Sequence, residues 1–308
     1  MRLSGSTWFS FTAALLLYIA AAGGVAAQQE WTASPADATT LPNEIVPETR
    51  RKAPDGLPDG LVATHPGKGD IVSARYGAPT TRYDHGILGD AVEAGALIVK
   101  SVLGPTYTLD LPKTEVFEDR APRLADLDGD GTVEIIAIRS SITLGASVAV
   151  YGLRNGTVEE LASTPFIGRA NRWLNIAGIA RFRGGRGREI AYVQTPHIGG
   201  TLFLYAYEQG RLTKIGSLGE FSNHAIGSRE MRLSAVADID GDGRMELALP
   251  ADNRRRLRIV GFGETGLRDR AVADLPAAID KAIAVRGAGP ATRFIVGLEN
   301  GRVFEIRR

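Results

Sequence analysis

The 308-residue sequence contains no cysteine. This absence excludes disulfides, thiolate metal sites, a cysteine nucleophile and a lipid anchor attached through cysteine. The net charge is only +1, so the composition gives no reason to expect a nucleic-acid partner. Histidine is scarce, and the spacing of the four present is not that of zinc ligands: His65, His85, His197 and His224. Packing or a bound metal ion must therefore stabilise the chain.

Long apolar runs are missing from the sequence except near its start. Phe9–Ala22 is largely apolar and follows Arg2, and small residues then precede a cleavage point after Ala27. This pattern predicts a secretory signal peptide over residues 1–27, with an uncleaved signal anchor as the alternative. We therefore expect an exported protein, periplasmic or secreted, with no membrane span in the mature chain.

Proline is unevenly distributed. Residues 28–69 hold 6 of the 15 prolines, mixed with threonine, alanine, aspartate and glycine, and show no apolar period. Such a composition predicts an extended, disordered linker or tail. The folded domain is therefore expected to cover residues 70–308.

Helical periodicity is absent from that domain, and short β-like segments take its place. Segments such as Glu134–Ile138, Thr201–Tyr207 and Arg293–Val296 are rich in β-branched, aromatic and other apolar residues. Turn signals such as Asn155-Gly156 and Asn300-Gly301 separate many of them, and Asn-Gly pairs suit two-residue hairpin turns. The sequence predicts an all-β fold.

An internal repeat organises these segments. Ala125–Ile135 and Ala237–Leu247 match at nearly every informative position, and Ala180–Ile190 lies midway between them with the same apolar frame. In this middle copy the three aspartates have become Arg181, Arg183 and Gly185, whereas one loop glycine and the final glutamate remain. A chance duplication of aspartate-rich loops within an unrelated sandwich is the alternative to a true repeat.

The repeated unit has about 50 residues and four strand-like segments, which is typical of a propeller blade. We therefore predict a β-propeller of about five blades, with six or seven as alternatives. The last copy is one strand short, and a segment near Leu61–Thr64 is the expected source of the missing strand.

The two acidic loops, Asp126–Glu134 and Asp238–Glu246, read Asp-x-Asp-Gly-Asp-Gly-x-x-Glu. Calcium takes six to eight oxygen ligands, and carboxylates at positions 1, 3 and 5 of a tight loop can meet at one centre, with a backbone carbonyl at position 7 and the glutamate at position 9. The predicted Ca²⁺ ligands are Asp126, Asp128, Asp130, Thr132 and Glu134 in the first loop and Asp238, Asp240, Asp242, Arg244 and Glu246 in the second. An EF-hand would need an acid at position 12, where Ala137 and Leu249 stand, and flanking helices.

These loops resemble the calcium loops of FG-GAP/VCBS-type repeats, as in the integrin α-subunit propeller and many secreted bacterial proteins. The resemblance covers roughly residues 120–300 and implies that the loop carboxylates bind Ca²⁺ within a blade of a binding or structural module. The middle copy departs from the pattern and is not expected to bind calcium. Gly77-Ala78-Pro79 is the one short match to the family's other signature.

The sequence contains no nucleophile elbow, phosphate-binding loop or dinucleotide fingerprint, and we predict no catalytic residue. Two hypotheses remain. The first is a non-catalytic exported propeller that binds a protein or a glycan, and the second is a calcium-dependent hydrolase or lyase, either a phosphoesterase or a glycan-cleaving enzyme, on the same scaffold. Two other features fit a solvated or structured loop as well as a site: the arginine-rich middle copy, and the polar segment Tyr83–Gly86 with Leu88–Asp90.

Overall fold

The computed structural model describes residue 1 and residues 30–37, 51–54 and 56–308. The predicted signal peptide lies outside these residues apart from Met1. In the part of the chain that the structure describes, no helix has the length and hydropathy needed to cross a bilayer.

The regular elements of the described residues are strands, apart from one three-residue 3-10 turn at Gly289–Ala291. In chain order they are β1 (Thr32–Ala36), β2 (Ala63–Thr64), β3 (Ile71–Thr80), β4 (Glu93–Ser101), β5 (Thr106–Asp110), β6 (Glu115–Phe117), β7 (Arg123–Ala125), β8 (Glu134–Ser141), β9 (Gly145–Arg154), β10 (Thr157–Ser163), β11 (Leu174–Ala180), β12 (Glu189–Gln194), β13 (Thr201–Glu208), β14 (Arg211–Gly219), β15 (Ala235–Ala237), β16 (Glu246–Pro250), β17 (Arg256–Gly263), β18 (Gly266–Asp274), β19 (Ala284–Arg286), β20 (Arg293–Gly297) and β21 (Val303–Arg307).

These strands form five antiparallel units of four. Unit 1 contains β2–β5, unit 2 contains β7–β10, unit 3 contains β11–β14 and unit 4 contains β15–β18. Unit 5 has the order β1-β21-β20-β19. The short β6 pairs with β4 and with β8, and so joins units 1 and 2 into one nine-stranded sheet. The all-β prediction is confirmed.

The strand sequences explain why these segments pair. Every residue of β8 is buried, including the apolar run Ile135–Ile138, which fits a position between two other layers. The second strand of each later unit is also largely or wholly buried. Asn155 and Gly156 connect β9 to β10 with φ values of 50° and 78°, as a type I′ hairpin turn requires.

Four apolar layers lie between successive units, and a fifth, smaller cluster of Ala284, Ile295 and Val303 lies within unit 5. Representative side chains are Tyr76, Phe117 and Tyr151 between units 1 and 2, Ile138, Trp173 and Tyr192 between units 2 and 3, Val193, Phe221 and Leu249 between units 3 and 4, and Ile259, Phe294 and Phe304 between units 4 and 5. The units therefore pack face to face in chain order.

The strand that completes unit 5 differs from the prediction. Thr32–Ala36 pairs with β21, whereas Leu61–Thr64 contributes β2, which pairs with β3 in unit 1. Two parts of the segment expected to be a disordered linker are therefore strands. Trp31 anchors the first of them, because its ring is 8% exposed and packs against Phe294 with ring centroids 5.8 Å apart.

Antiparallel order gives every unit two loop-bearing ends. One end, the acidic-loop end, carries the connections between the first and second strands of each unit. The opposite end carries the connections between second and third strands and the passages from one unit to the next. Both acidic loops connect first to second strands, β7 to β8 and β15 to β16, and so belong to the same end.

Candidate functional site

Three carboxylates converge in each acidic loop. One oxygen each from Asp126, Asp128 and Glu134 lies within 4.8 Å of the others. The second loop repeats the arrangement at the equivalent positions with Asp238, Asp240 and Glu246. Each cluster could hold a metal ion, and no other group of three or more acidic or histidine side chains in the described residues meets the same distance criterion.

The first aspartate of each loop holds the backbone turn in place. The Asp126 carboxylate accepts hydrogen bonds from the N–H groups of Gly129 at 2.7 Å and Gly131 at 3.1 Å. The φ values of these glycines are 78° and 93°, so the turn requires residues without a side chain. Asp238 makes the same two bonds in the second loop. The chain is therefore already curled around the acid cluster.

The glutamate at position 9 is the buried member of each cluster. Glu134 is fully buried and Glu246 is 3% exposed, and each accepts a backbone N–H bond from the residue that follows the first aspartate, at 2.8 and 3.0 Å. Burial, followed by the neighbouring loop aspartates, raises the pKa of both glutamates to about 7. A bound cation would remove this cost of ionisation.

The fifth-position aspartates stand apart from these clusters. Asp130 accepts hydrogen bonds from the backbone N–H and the hydroxyl of Thr132, both at 2.7 Å. These bonds lower the pKa of Asp130. Asp242 accepts the N–H of Arg244 at 2.8 Å. The structure thus brings together three of the four predicted carboxylate ligands of each loop, and coordination by Asp130, Asp242 and the carbonyls of Thr132 and Arg244 stays a prediction.

The middle loop places an arginine where the other two have an aspartate. Glu189, the equivalent of Glu134, accepts the backbone N–H of Phe182 at 2.8 Å, so the buried glutamate is held in the same way. Its other oxygen accepts a bond from Nε of Arg183, also at 2.8 Å. A guanidinium group of the chain itself therefore neutralises this glutamate. In the middle loop, Gly185 stands where the other two loops have the fifth-position aspartate, and its φ is 88°.

A second polar cluster lies at the opposite end and includes His85 of the polar segment Tyr83–Gly86. The buried carboxyl of Glu118 contacts His85, with 2.5 Å between the Glu118 Oε1 and His85 Nδ1 atoms. Ser140 donates to the same carboxyl group, and the Trp173 indole donates to the Glu118 carbonyl at 3.0 Å. Asp119, also buried, forms an ion pair with the Arg123 side chain. The residues come from connections widely separated in sequence.

Burial dominates the electrostatics of this cluster. Burial, followed by the charge of Glu118, raises the pKa of Glu93 to about 9. Burial likewise raises the pKa of Asp59 to about 6 and shifts those of Glu118 and Asp119 upward. Clusters of carboxyl groups with raised pKa values are costly to bury and are concentrated at functional sites.

Two histidines complete the cluster. His197 Nε2 lies 3.0 Å from His224 Nδ1, and His224 Nε2 donates to the Ser228 carbonyl at 2.9 Å. Since that bond fixes the hydrogen on His224 Nε2, Nδ1 accepts and His197 Nε2 donates. Burial lowers the pKa of both histidines to about 4, so both are neutral at physiological pH.

The segment Tyr83–Gly86 is recognisably polar in the sequence, but its spatial partners are not. His85 meets Glu118 because β6 joins units 1 and 2 and Glu118 directly follows β6. The one local signal was the run Glu118-Asp119-Arg120 directly after the apolar residues of β6. No local sequence pattern pointed to Trp173, His197 or His224.

No protein-family model matches the sequence, and no curated protein matches it. Solved structures do match. They include the exotype rhamnogalacturonan lyase YesX (16% identity, TM-score 0.44, covering 82% of this chain and 56% of that one) and the rhamnogalacturonan lyase YesW (16%, 0.50, 80% and 52%). A third is the Bacillus licheniformis rhamnogalacturonan lyase PL11 (19%, 0.47, 85% and 52%). The chain spans about half the length of these proteins, and the likeness concerns the fold alone.

Proposed function

We propose that this protein is an exported, calcium-binding β-propeller of five blades, built from FG-GAP/VCBS-type repeats, that acts as a non-catalytic module for binding a protein or a glycan. Each four-stranded unit is one blade in this proposal. The face-to-face apolar layers support it, as does the completion of unit 5 by β1, which ties the two ends of the folded chain together.

The observation that carries the proposal is the comparison of the three equivalent loops. In all three, a buried glutamate accepts the same backbone N–H bond. The middle loop supplies its own positive charge through Arg183. The other two loops place aspartates at that position and gather three carboxylates each. A dissolved cation is the natural counterpart of the arginine in these two loops.

Calcium is the cation that the donor set favours. All the side-chain donors are carboxylate oxygens, the ligands of hard cations, and no histidine or cysteine takes part. One arginine lies beside each cluster, Arg154 with its Nη2 3.6 Å from Glu134 and Arg270 with its Nη2 2.5 Å from Asp240. A single guanidinium cannot neutralise four carboxylates within nine residues, and their mutual repulsion favours a dication.

The test is the melting temperature of the mature protein with 1 mM calcium and with a chelator. If each loop binds with a Kd of about 10 µM, calcium stabilises the fold by about 2.7 kcal/mol per site, so chelation should lower the Tm by on the order of 10 °C. The double variant Asp128→Ala/Asp240→Ala should lose the response. Asp274→Ala, which removes an exposed carboxylate elsewhere, should keep it. Identical melting curves with and without calcium would refute the proposal.

A glycan-cleaving enzyme is the second candidate, and one observation favours it. The cluster at the opposite end holds carboxyl groups with raised pKa values beside His85, as acid–base catalysis requires. The check is release of reducing ends or unsaturated products from acidic polysaccharides in the presence of calcium. Cleavage that disappears in His85→Asn would replace the binding role with a catalytic one.

A further inference from the structure

A small cleft opens at the opposite end beside the His85–Glu118 pair. Its volume is about 140 Å³. Its apolar walls are formed by side chains from four connections: Ile87, Trp173, Ile198 and Ile226. Ile198 and Ile226 are 63% and 72% exposed, so the apolar surface continues outward from the cleft. A cavity of similar volume holds a six-membered hydrocarbon ring, so this cleft suits one small apolar group.

His85 provides a hydrogen-bond donor at the cleft. Its Nδ1 faces the Glu118 carboxyl, and Nε2 has no partner among the residues described. Burial raises the pKa of Glu118, which favours its protonated form. A protonated Glu118 donates to Nδ1, so the imidazole hydrogen lies on Nε2, which can donate it to a ligand. The Glu118 carboxyl group thus fixes the orientation of the His85 imidazole.

The residues that line the cleft include a cationic side chain, that of Arg172, and no acidic one. Within the described chain Arg172 donates only to the Asn171 carbonyl and forms no salt bridge. Arg254 lies close enough to help lower the pKa of both His197 and His224. An anionic group is therefore the electrostatic complement of this cleft.

We infer that the cleft binds a carboxylate carried on a compact hydrocarbon body of about five to seven carbon atoms. The hydrocarbon lies against Ile87, Ile198 and Ile226, and the carboxylate accepts bonds from His85 Nε2 and the Arg172 guanidinium. A free branched-chain acid and the C-terminal leucine of a peptide both present this chemistry. The inference deepens the proposed binding function by naming a ligand class, and it does not require calcium in the loops.

Isothermal titration calorimetry on the full mature protein with 4-methylpentanoate tests the inference. We expect a Kd of about 1 mM or lower, the range that eight non-hydrogen atoms can reach. The neutral 4-methylpentanamide and the short acid acetate should each bind at least tenfold more weakly. Acetyl-Ala-Ala-Leu and its C-terminal amide separate the two sources, because a peptide acid that binds more tightly than the free acid identifies a chain terminus.

Two variants localise the binding. Arg172→Gln should weaken acid binding about tenfold and leave the amide unchanged, because it removes a charge-assisted hydrogen bond. Ile226→Asp places a negative charge at the mouth and should abolish acid binding, and the exposed position leaves the fold intact. Arg169→Gln is the matched control, since it removes the same charge from an exposed residue of the same connection and should bind like the unmodified protein.

Equal binding of acid and amide, tighter binding of gluconate than of 4-methylpentanoate, or no binding at all would each overturn the inference. Its failure is distinguishable from failure of the proposed function. If calcium does not change the Tm but the acid binds, only the calcium sites are contradicted. If calcium raises the Tm but the acid does not bind, only the ligand of the cleft is contradicted.

Discussion

At the scale of the residue, the buried carboxyl group of Glu93 lowers the stability of the fold at neutral pH. Its side chain begins β4 and is 4% exposed, and Glu118, Asp59 and Asp90 add like charge nearby. A carboxyl group with a pKa of about 9 stays protonated at neutral pH, although it would be ionised in the unfolded chain. Folding at pH 7 therefore requires proton uptake, and this residue destabilises the fold under those conditions.

Replacing Glu93 with glutamine should stabilise the protein at pH 7. The folded-state pKa of Glu93 is raised. Its contribution to the free energy of unfolding is therefore fully present below pH 4.5 and is lost as the pH rises towards 9. Between pH 4.5 and 7 the loss amounts to about 3 kcal/mol. Urea unfolding at pH 5, 7 and 9 should show a free energy of unfolding for Glu93→Gln that exceeds the unmodified value increasingly from pH 5 to 9.

The control for this prediction is Glu264→Gln, which changes an exposed glutamate in the β17–β18 turn. Its free energy of unfolding should follow the unmodified protein at every pH. A Glu93→Gln variant that is less stable at pH 7 than at pH 5, relative to the unmodified chain, would show that the carboxylate is ionised and paired.

At the scale of the element, the acidic loops were readable in the sequence because their chemistry is local. Aspartates two residues apart, with a glycine after the second and the third, specify the turn and the carboxylate cluster without distant partners. The strand β1 was not readable in this way. It contains Pro35, and its place is fixed by pairing with β21, at the far end of the chain. Proline is tolerated there because β1 is an edge strand.

Restoring the acidic sequence should turn the middle loop into a third metal site. The combined change Arg181→Asp, Arg183→Asp, Gly185→Asp and Arg186→Gly removes the guanidinium that neutralises Glu189 and reinstates the glycine of the other two loops. We expect calcium titration calorimetry to show one additional ion per chain. The same variant with asparagine at the three aspartate positions lacks the charge and should bind no extra ion. An unchanged ion count in the aspartate variant would mean that the loop sequence alone is insufficient.

Removing the anchor of β1 should destabilise unit 5. Trp31→Ala deletes a buried ring that packs on Phe294, and such truncations cost about 3–5 kcal/mol. Val102→Ala, at a 57% exposed position, should cost little. Chemical unfolding of the two variants measures the difference. Equal stability of both would show that β1 does not hold unit 5 closed.

At the scale of the molecule, the sequence predicted the all-β class, which is confirmed. The strand periodicity and the loop repeat recur along the chain, so the repeated unit was visible without tertiary information, whereas the sequence left its number open between five, six and seven. The cluster around Glu118 could not be predicted, because its residues come from connections in different units. No local pattern marks a site that forms only when the units stack.

We propose that two of the three equivalent loops hold calcium and that the third holds an arginine instead. The most direct measurement is the number of calcium ions bound per chain, by titration calorimetry of chelator-treated mature protein. We predict two ions for the unmodified chain, one for Asp128→Ala or Asp240→Ala alone, and none for the double variant. Zero ions in the unmodified protein, or two that survive in the double variant, would contradict this proposal.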